Sequence, residues 1–283
     1  RRQRQMCIRD SIYPMANGNI LVIAWHGISE SSAESLGRLK GTIAGSKLWS
    51  ERILELKPKG LDDADIVWQW SLVDHLIQDE SISKPDFNII NAHPELMNIN
   101  YAPDQSSDWI HLNSIDYNAD LDQILLSAHN TSEIWIIDHS TTTAEASSHW
   151  GGKRGKGGDL LYRWGNSAAY SKGAKTNQKL FYQHNANWIP KGYKDGGDIM
   201  IFNNGLSRVP AYSSVEIVTP PVNSPGVYKS NRPYGPSNSK WTYKASNPTD
   251  FFSPVVSGAN RLRNGNTLIC NGVPGEFWEI DNN

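Results

Sequence analysis

The chain repeats one short phrase, a tight-turn pair followed by an apolar run. Asn17–Ile23 reads Asn-Gly-Asn-Ile-Leu-Val-Ile, and the phrase returns at Gly196–Phe202 and Asn264–Cys270, with a weaker copy at Leu121–Ser127. Asn-Gly before an apolar run signals a hairpin, because both residues tolerate the positive φ that a tight reversal needs. A second strand-like run follows each copy, at Ile53–Leu56, Glu133–Asp138, Val215–Val218 and Glu276–Asp281. A third closes the unit at Asp65–Trp70, Asp159–Trp164 and Lys240–Tyr243. Two stretches with one histidine each, Asp108–Asn118 and Tyr182–Pro190, supply the opening element.

The unit is therefore four strands, returning roughly every 70–80 residues. Such units arranged about an axis are the blades of a β-propeller. The expectation is an all-β chain holding about three and a half four-stranded blades over residues 12–283. A β-sandwich or tandem β domains is the runner-up, but a sandwich does not require the elements to recur in a fixed order. Residues 26–50 and 71–107 read as long insertions, the first with a helix-compatible stretch at Ser32–Arg38. In a propeller the first strand of each blade faces the central funnel. That places His111 and His184, at matching positions of successive units, on one shared site.

Eleven tryptophans, eleven tyrosines, 23 glycines and 15 prolines suit short strands, tight turns and aromatic filling. A net charge of −2 suggests neither a nucleic-acid nor a membrane partner. No apolar run is long enough for a membrane-spanning helix. Cys7 and Cys270 make no disulfide framework. No His/Cys/Asp spacing points to a metal, and no cofactor is expected. Gly151–Gly158 lacks the Gly-Lys-Ser/Thr ending of a phosphate loop and reads as a solvated loop. His75 and His93 fall in the second insertion, and His139 and His149 flank a Thr/Ser-rich loop that they are expected to cap or pack. His129 follows a strand, a place from which it could orient another side chain.

Residues 1–11 look like the in-frame translation of a sequencing adapter and are set aside. On that reading the chain is an internal fragment, truncated at both ends.

The run His111–Asn118, then Ile124–His129, Gln183-His184 and Phe202–Arg208, resembles the bacterial arylsulfate sulfotransferases. The likeness covers residues 12–283 and is densest from 108 to 205. The block from Ile137 to Asn166 is similar to a marine-bacterial branch. The resemblance implies a six-bladed propeller in the intact protein. It implies transfer of a sulfuryl group from a phenolic sulfate ester to a phenol without the nucleotide donor PAPS. The family's route is ping-pong through a sulfohistidine, in a periplasmic or secreted protein whose partners are the small-molecule donor and acceptor.

Carried over by motif, His111 matches one supporting histidine (His-x-Asn-Ser-Ile), His184 a second (Gln-His-x-Ala), and Arg208 the arginine of Phe-x-Asn-Gly-x-x-Arg. His129 and Asn113 are candidates for supporting positions around them. On the resemblance, Arg208 and His184 stabilise sulfuryl oxygens and phenoxide, and His111 binds oxygen or does acid–base work. The family's attacking histidine comes after the segment matched by Asp250–Ile280, and no histidine follows His184. Either it lies beyond residue 283 or this branch lacks it, so the chain as given is expected to be inactive. The competing reading is a non-catalytic propeller that binds a ligand or protein through the same funnel.

Overall fold

The computed structural model describes residues 11–101, 106–229 and 233–281. The reading of residues 1–11 falls, but for Ser11, outside them. The described chain is all-β, with antiparallel sheets built from consecutive strands. The first sheet joins β1 (Ile12–Pro14), β2 (Ile20–Ser29), β3 (Lys47–Lys59) and β4 (Asp63–Ser71), with α1 (Glu30–Ser35) between β2 and β3. A long connection follows, tied by a short parallel pair, β5 (Leu76–Ile77) and β6 (Met97–Asn98). The second sheet is β7 (Leu112–Asn118), β8 (Gln123–Ala128), β9 (Glu133–Asp138) and β10 (Tyr162–Trp164), with α2 (Thr143–Ala146) before the last strand.

The third sheet begins β11 (His184–Trp188), β12 (Ile199–Asn203) and β13 (Ser214–Val218). A side hairpin of β14 (Val222–Ser224) and β15 (Val227–Tyr228) intervenes before β16 (Trp241–Tyr243) completes it. The fourth sheet has three described strands, β17 (Gly258–Arg261), β18 (Thr267–Asn271) and β19 (Glu276–Ile280).

The repeated turn folds the same way in two of its copies. Gly18 and Gly265 both take positive φ, and Asn17 and Asn264 each accept the backbone N–H two residues on. The insertion expected at 26–50 is shorter than that. Strands β2 and β3 pair without a break from Ile20↔Leu56 to Ser29↔Lys47, leaving only 30–46 outside the sheet. Burial alternates along β3 but changes phase at Ser50 and Glu51, which are both buried, so Leu48 and Ile53 both join the core.

Side-chain alternation shows how the sheets stack. On β8, Ile124 and Leu126 join a core shared with the first sheet, while Leu125 joins a core shared with the third. On β9, Trp135 and Ile137 go one way and Ile134 and Ile136 the other. On β12, Ile199 and Ile201 face the second sheet, and Met200 and Phe202 pack with Ala259 and Ile269 of the fourth. The second and third sheets are thus buried on both faces, which is why their strands read as continuous apolar runs.

The first strands of successive sheets lie side by side, held by polar side chains of one on the backbone of the next. From the third strand of the first sheet, β3, Glu51 Oε1 also reaches the next sheet and accepts the Leu112 N–H at 3.1 Å. Ser114 Oγ accepts Ala186 N–H at 3.0 Å, and Asp116 Oδ2 accepts Trp188 N–H at 2.7 Å. Asn185 and Asn187 of β11 then bind the N–H and C=O of Ala259 on β17.

Candidate active site

A cavity of about 770 Å³ opens where these first strands meet. His111, Asn113, His184 and Asn185 line it beside Val256, Ser257 and the apolar walls Ile23, Trp25, Leu268 and Phe277. Its backbone is irregular on both histidine-bearing strands. Pairing slips in β7 between Leu112 and Ser114, and in β11 between His184 and Asn187. Bulges of this kind re-aim side chains. Ten described non-glycine residues hold positive φ, and four of them, His111, Asn185, Val256 and Ser257, line the cavity. For a β-branched residue such as Val256 that conformation is costly, and such strain gathers at functional sites.

Three histidines stand in a row here. The His129 ring lies 5.1 Å from that of His111 and 5.2 Å from that of His184, centroid to centroid. Each is fixed through Nδ1. His111 Nδ1 is 2.6 Å from Asp108 Oδ2. His129 Nδ1 is 2.6 Å from Asn130 Oδ1, whose amide nitrogen donates to the Asp108 carbonyl. His184 Nδ1 is 2.9 Å from Asn204 Oδ1, and Asn204 Nδ2 donates to the carbonyls of Ser253 and Val256. Because each asparagine spends its N–H₂ on carbonyls, its oxygen must face the imidazole. His129 and His184 therefore carry their proton on Nδ1, and Nε2 holds the lone pair.

Partners set the charge states apart. The hydrogen bond and charge of Asp108 raise the His111 pKa above the ordinary histidine value against the effect of burial, with Glu51 adding to the rise. Burial pushes His184 down to about 4, helped by its histidine neighbours and opposed by Asn204 and the Tyr182 carbonyl. His129 is also lowered to about 4, chiefly by burial. Glu51, buried beneath β7, is raised to about 8 by desolvation despite the Leu112 N–H. The site thus holds one imidazole that favours charge beside two that resist it, the separation that assigns acid and base roles.

The structure brings together four of the five residues expected from sequence. Asn113 donates from Nδ2 to the Gln183 carbonyl at 2.8 Å, tying the two histidine-bearing strands. Its Oδ1 is buried with no partner among the described residues. His129, expected only in support, sits between the other two rings. Arg208 is placed apart. Its guanidinium lies over the rings of Tyr212 and Phe181 at 4.4 and 5.1 Å, donates to Tyr212 O and Ser214 Oγ, and lies 3.6 Å from Glu216 Oε1. It does not line the cavity, and neither does any other arginine or lysine among the described residues.

Sequence reading missed Asp108, Asn204, Glu51, Trp25 and Phe277. Only Asp108 carried a local signal, three residues before His111. Trp25 stands on the His111 side, ring centroids 6.3 Å apart. The apolar walls suit a flat aromatic ring, and the histidine row suits proton movement at its edge. Among the described residues no helix is long and apolar enough to cross a membrane. No curated protein matches the chain. The family model described as "Arylsulfotransferase (ASST)" matches residues 7–282, nearly the whole length, and the chain belongs to that family.

Proposed function

We propose that this protein transfers a sulfuryl group from a phenolic sulfate ester to a phenol, without a nucleotide donor, in a ping-pong sequence through a sulfohistidine. In this reading the four sheets are successive blades of a β-propeller, the cavity is its funnel, and the protein works in the periplasm or outside the cell. Sheets buried on both faces, with their first strands side by side, support the architecture. The observation that carries the function is the row of Nδ1-anchored histidines with opposed charge preferences, two of which line a cavity with aromatic walls in a chain of this family.

The aryl ring of the donor lies against Trp25 and Phe277. His111, held toward the charged state by Asp108, gives its proton to the departing phenoxide, a role worth about 10²–10⁴-fold in rate. His184 contributes a neutral Nε2, the form needed to attack sulfur or to take the proton of the acceptor phenol. These roles revise the expectation that His184 supplies positive charge, since burial keeps its ring neutral. Arg208, matched by motif to a sulfuryl-binding arginine, reaches the transferred group only on leaving Ser214 and Glu216. Its present engagement favours a second reading, a cavity that binds aryl anions without turning them over.

One experiment separates these readings. Incubation of a full-length clone with 4-nitrophenyl sulfate and phenol should release nitrophenol, and peptide mapping of a base-quenched sample should find the sulfuryl group on an imidazole. An adduct on His184 assigns it the attack. Release that fails in His184→Ala with no adduct on His184 makes it the base. Binding of the aryl sulfate with no release supports the second reading, and neither binding nor release overturns both.

A further inference from the structure

A second histidine cluster forms where the end of β4 meets the loop between α2 and β10, and none of its members lines the cavity. His75 is fully buried, with Nε2 2.8 Å from the Ala146 carbonyl and Nδ1 2.8 Å from Asp159 Oδ1. A carbonyl can only accept, so Nε2 carries the proton. In the neutral ring, Nδ1 then turns its lone pair toward a carboxylate. His149 Nδ1 lies 2.7 Å from the same Asp159 oxygen. One buried carboxylate oxygen thus faces two imidazole nitrogens, and the three ligand atoms lie within 4.8 Å of one another. A cation between them satisfies all three.

The cluster is held in place from behind. The His75 ring lies parallel to Trp70, centroids 5.6 Å apart and planes within 4°. Trp70 Nε1 donates to the Gly158 carbonyl at 2.7 Å. A Cβ at Gly158 would fall 2.5 Å from His75 Nε2, so the loop can approach only as glycine. An imidazole that donates one N–H to a backbone carbonyl and turns its other nitrogen to a shared carboxylate has the outer-shell support found behind metal-binding histidines. Basic side chains of the same loop are drawn elsewhere, Lys153 to Asp122 and Arg154 to the Leu121 carbonyl.

We propose that His75, His149 and Asp159 form a divalent-cation site of the zinc type, which staples the end of β4 to the glycine-rich loop. Two imidazoles and a carboxylate, with water as a fourth ligand, are a donor set that zinc accepts. Tetrahedral bonds of about 2.0–2.1 Å set ligand atoms roughly 3.3 Å apart, so the ion enters when the Asp159 carboxylate draws back from the two nitrogens by about half an ångström. The His149 side chain is 54% exposed, which leaves its ring room to adjust to the ion.

The test is a titration of the chelator-stripped chain with Zn²⁺ by calorimetry and with Co²⁺ by visible absorption. The expected result is one equivalent bound, with the melting temperature raised by Zn²⁺. His149→Ala, an exposed position whose loss the fold tolerates, should weaken binding by about tenfold or more and abolish the thermal rise. Asp159→Asn should do the same, while His111→Ala should bind as wild type does. Failure of the wild-type chain to bind, or binding that His149→Ala leaves unchanged, overturns the proposal. Neither outcome bears on sulfuryl transfer, which uses other residues.

Discussion

His139 and His184 are both histidines packed between neighbouring sheets, and their partners give them opposite uses. His139 places Nδ1 2.8 Å from Asp122 and Nε2 3.0 Å from Glu55, with Trp68 and Tyr117 against its ring. Both nitrogens are spent on carboxylates that belong to different sheets, so the ring is a tie. His184 spends Nδ1 on a neutral amide and keeps the lone pair of Nε2 at a cavity. A carboxylate on each side makes an imidazole structural. An amide on one side leaves it able to react.

Deleting each ring in turn should separate the two histidines most widely. In nitrophenol release from 4-nitrophenyl sulfate, His184→Ala should cost about 10²–10⁴-fold, whereas His139→Ala should stay within about threefold. Calorimetric melting should reverse the order, with His139→Ala the less stable of the two by about 1–3 kcal/mol because two carboxylates lose their partner. Equal activity losses would erase the distinction.

The neutral rings also make stability depend on acid. His129 and His184 have folded values near 4, below the ordinary histidine value of 6.5. Between those limits the unfolded chain binds more protons than the folded one. Stability present above pH 6.5 is therefore lost as pH falls toward 4, by roughly 3 kcal/mol for one such group. Urea midpoints across this window should show the slope, and His129→Gln should flatten it. An unchanged slope would mean that burial does not hold these rings neutral.

Smaller effects follow from the groups around the row. Asp108→Asn should lower the His111 pKa, so the alkaline limb of the pH–rate profile moves to lower pH. Glu51→Gln should act in the opposite range. Its folded value of about 8 exceeds that of an unfolded glutamate, so the native chain loses stability as pH rises from about 4.5 to 8. The amide keeps the Leu112 contact and removes that loss, so thermal melts at pH 8 should show the variant about 1 kcal/mol more stable.

Much of this was legible in the sequence, for identifiable reasons. The turn phrase predicts the hairpins because φ preference is local, and β8, β9 and β12 read as buried strands because apolar continuity is local too. The register of His111 and His184 is visible in their flanking motifs. The bulges beside them are not, since they arise from pairing against β8 and β12. Asn204 gives no sign that it will fix His184, 20 positions earlier. The expectation for Arg208 rested on motif alone, which says nothing of Glu216 beside it. His75 and Asp159 meet across 84 positions, beyond the reach of any ligand-spacing rule.

Five of the ties between successive sheets share a direction. Glu51, Ser114, Asp116, Asn185 and Asn187 all offer side chains to backbone of the sheet that comes later in the chain. A chain emerging from the ribosome therefore presents each new sheet with a template already made, so assembly can run from the first sheet onward with no waiting for the last.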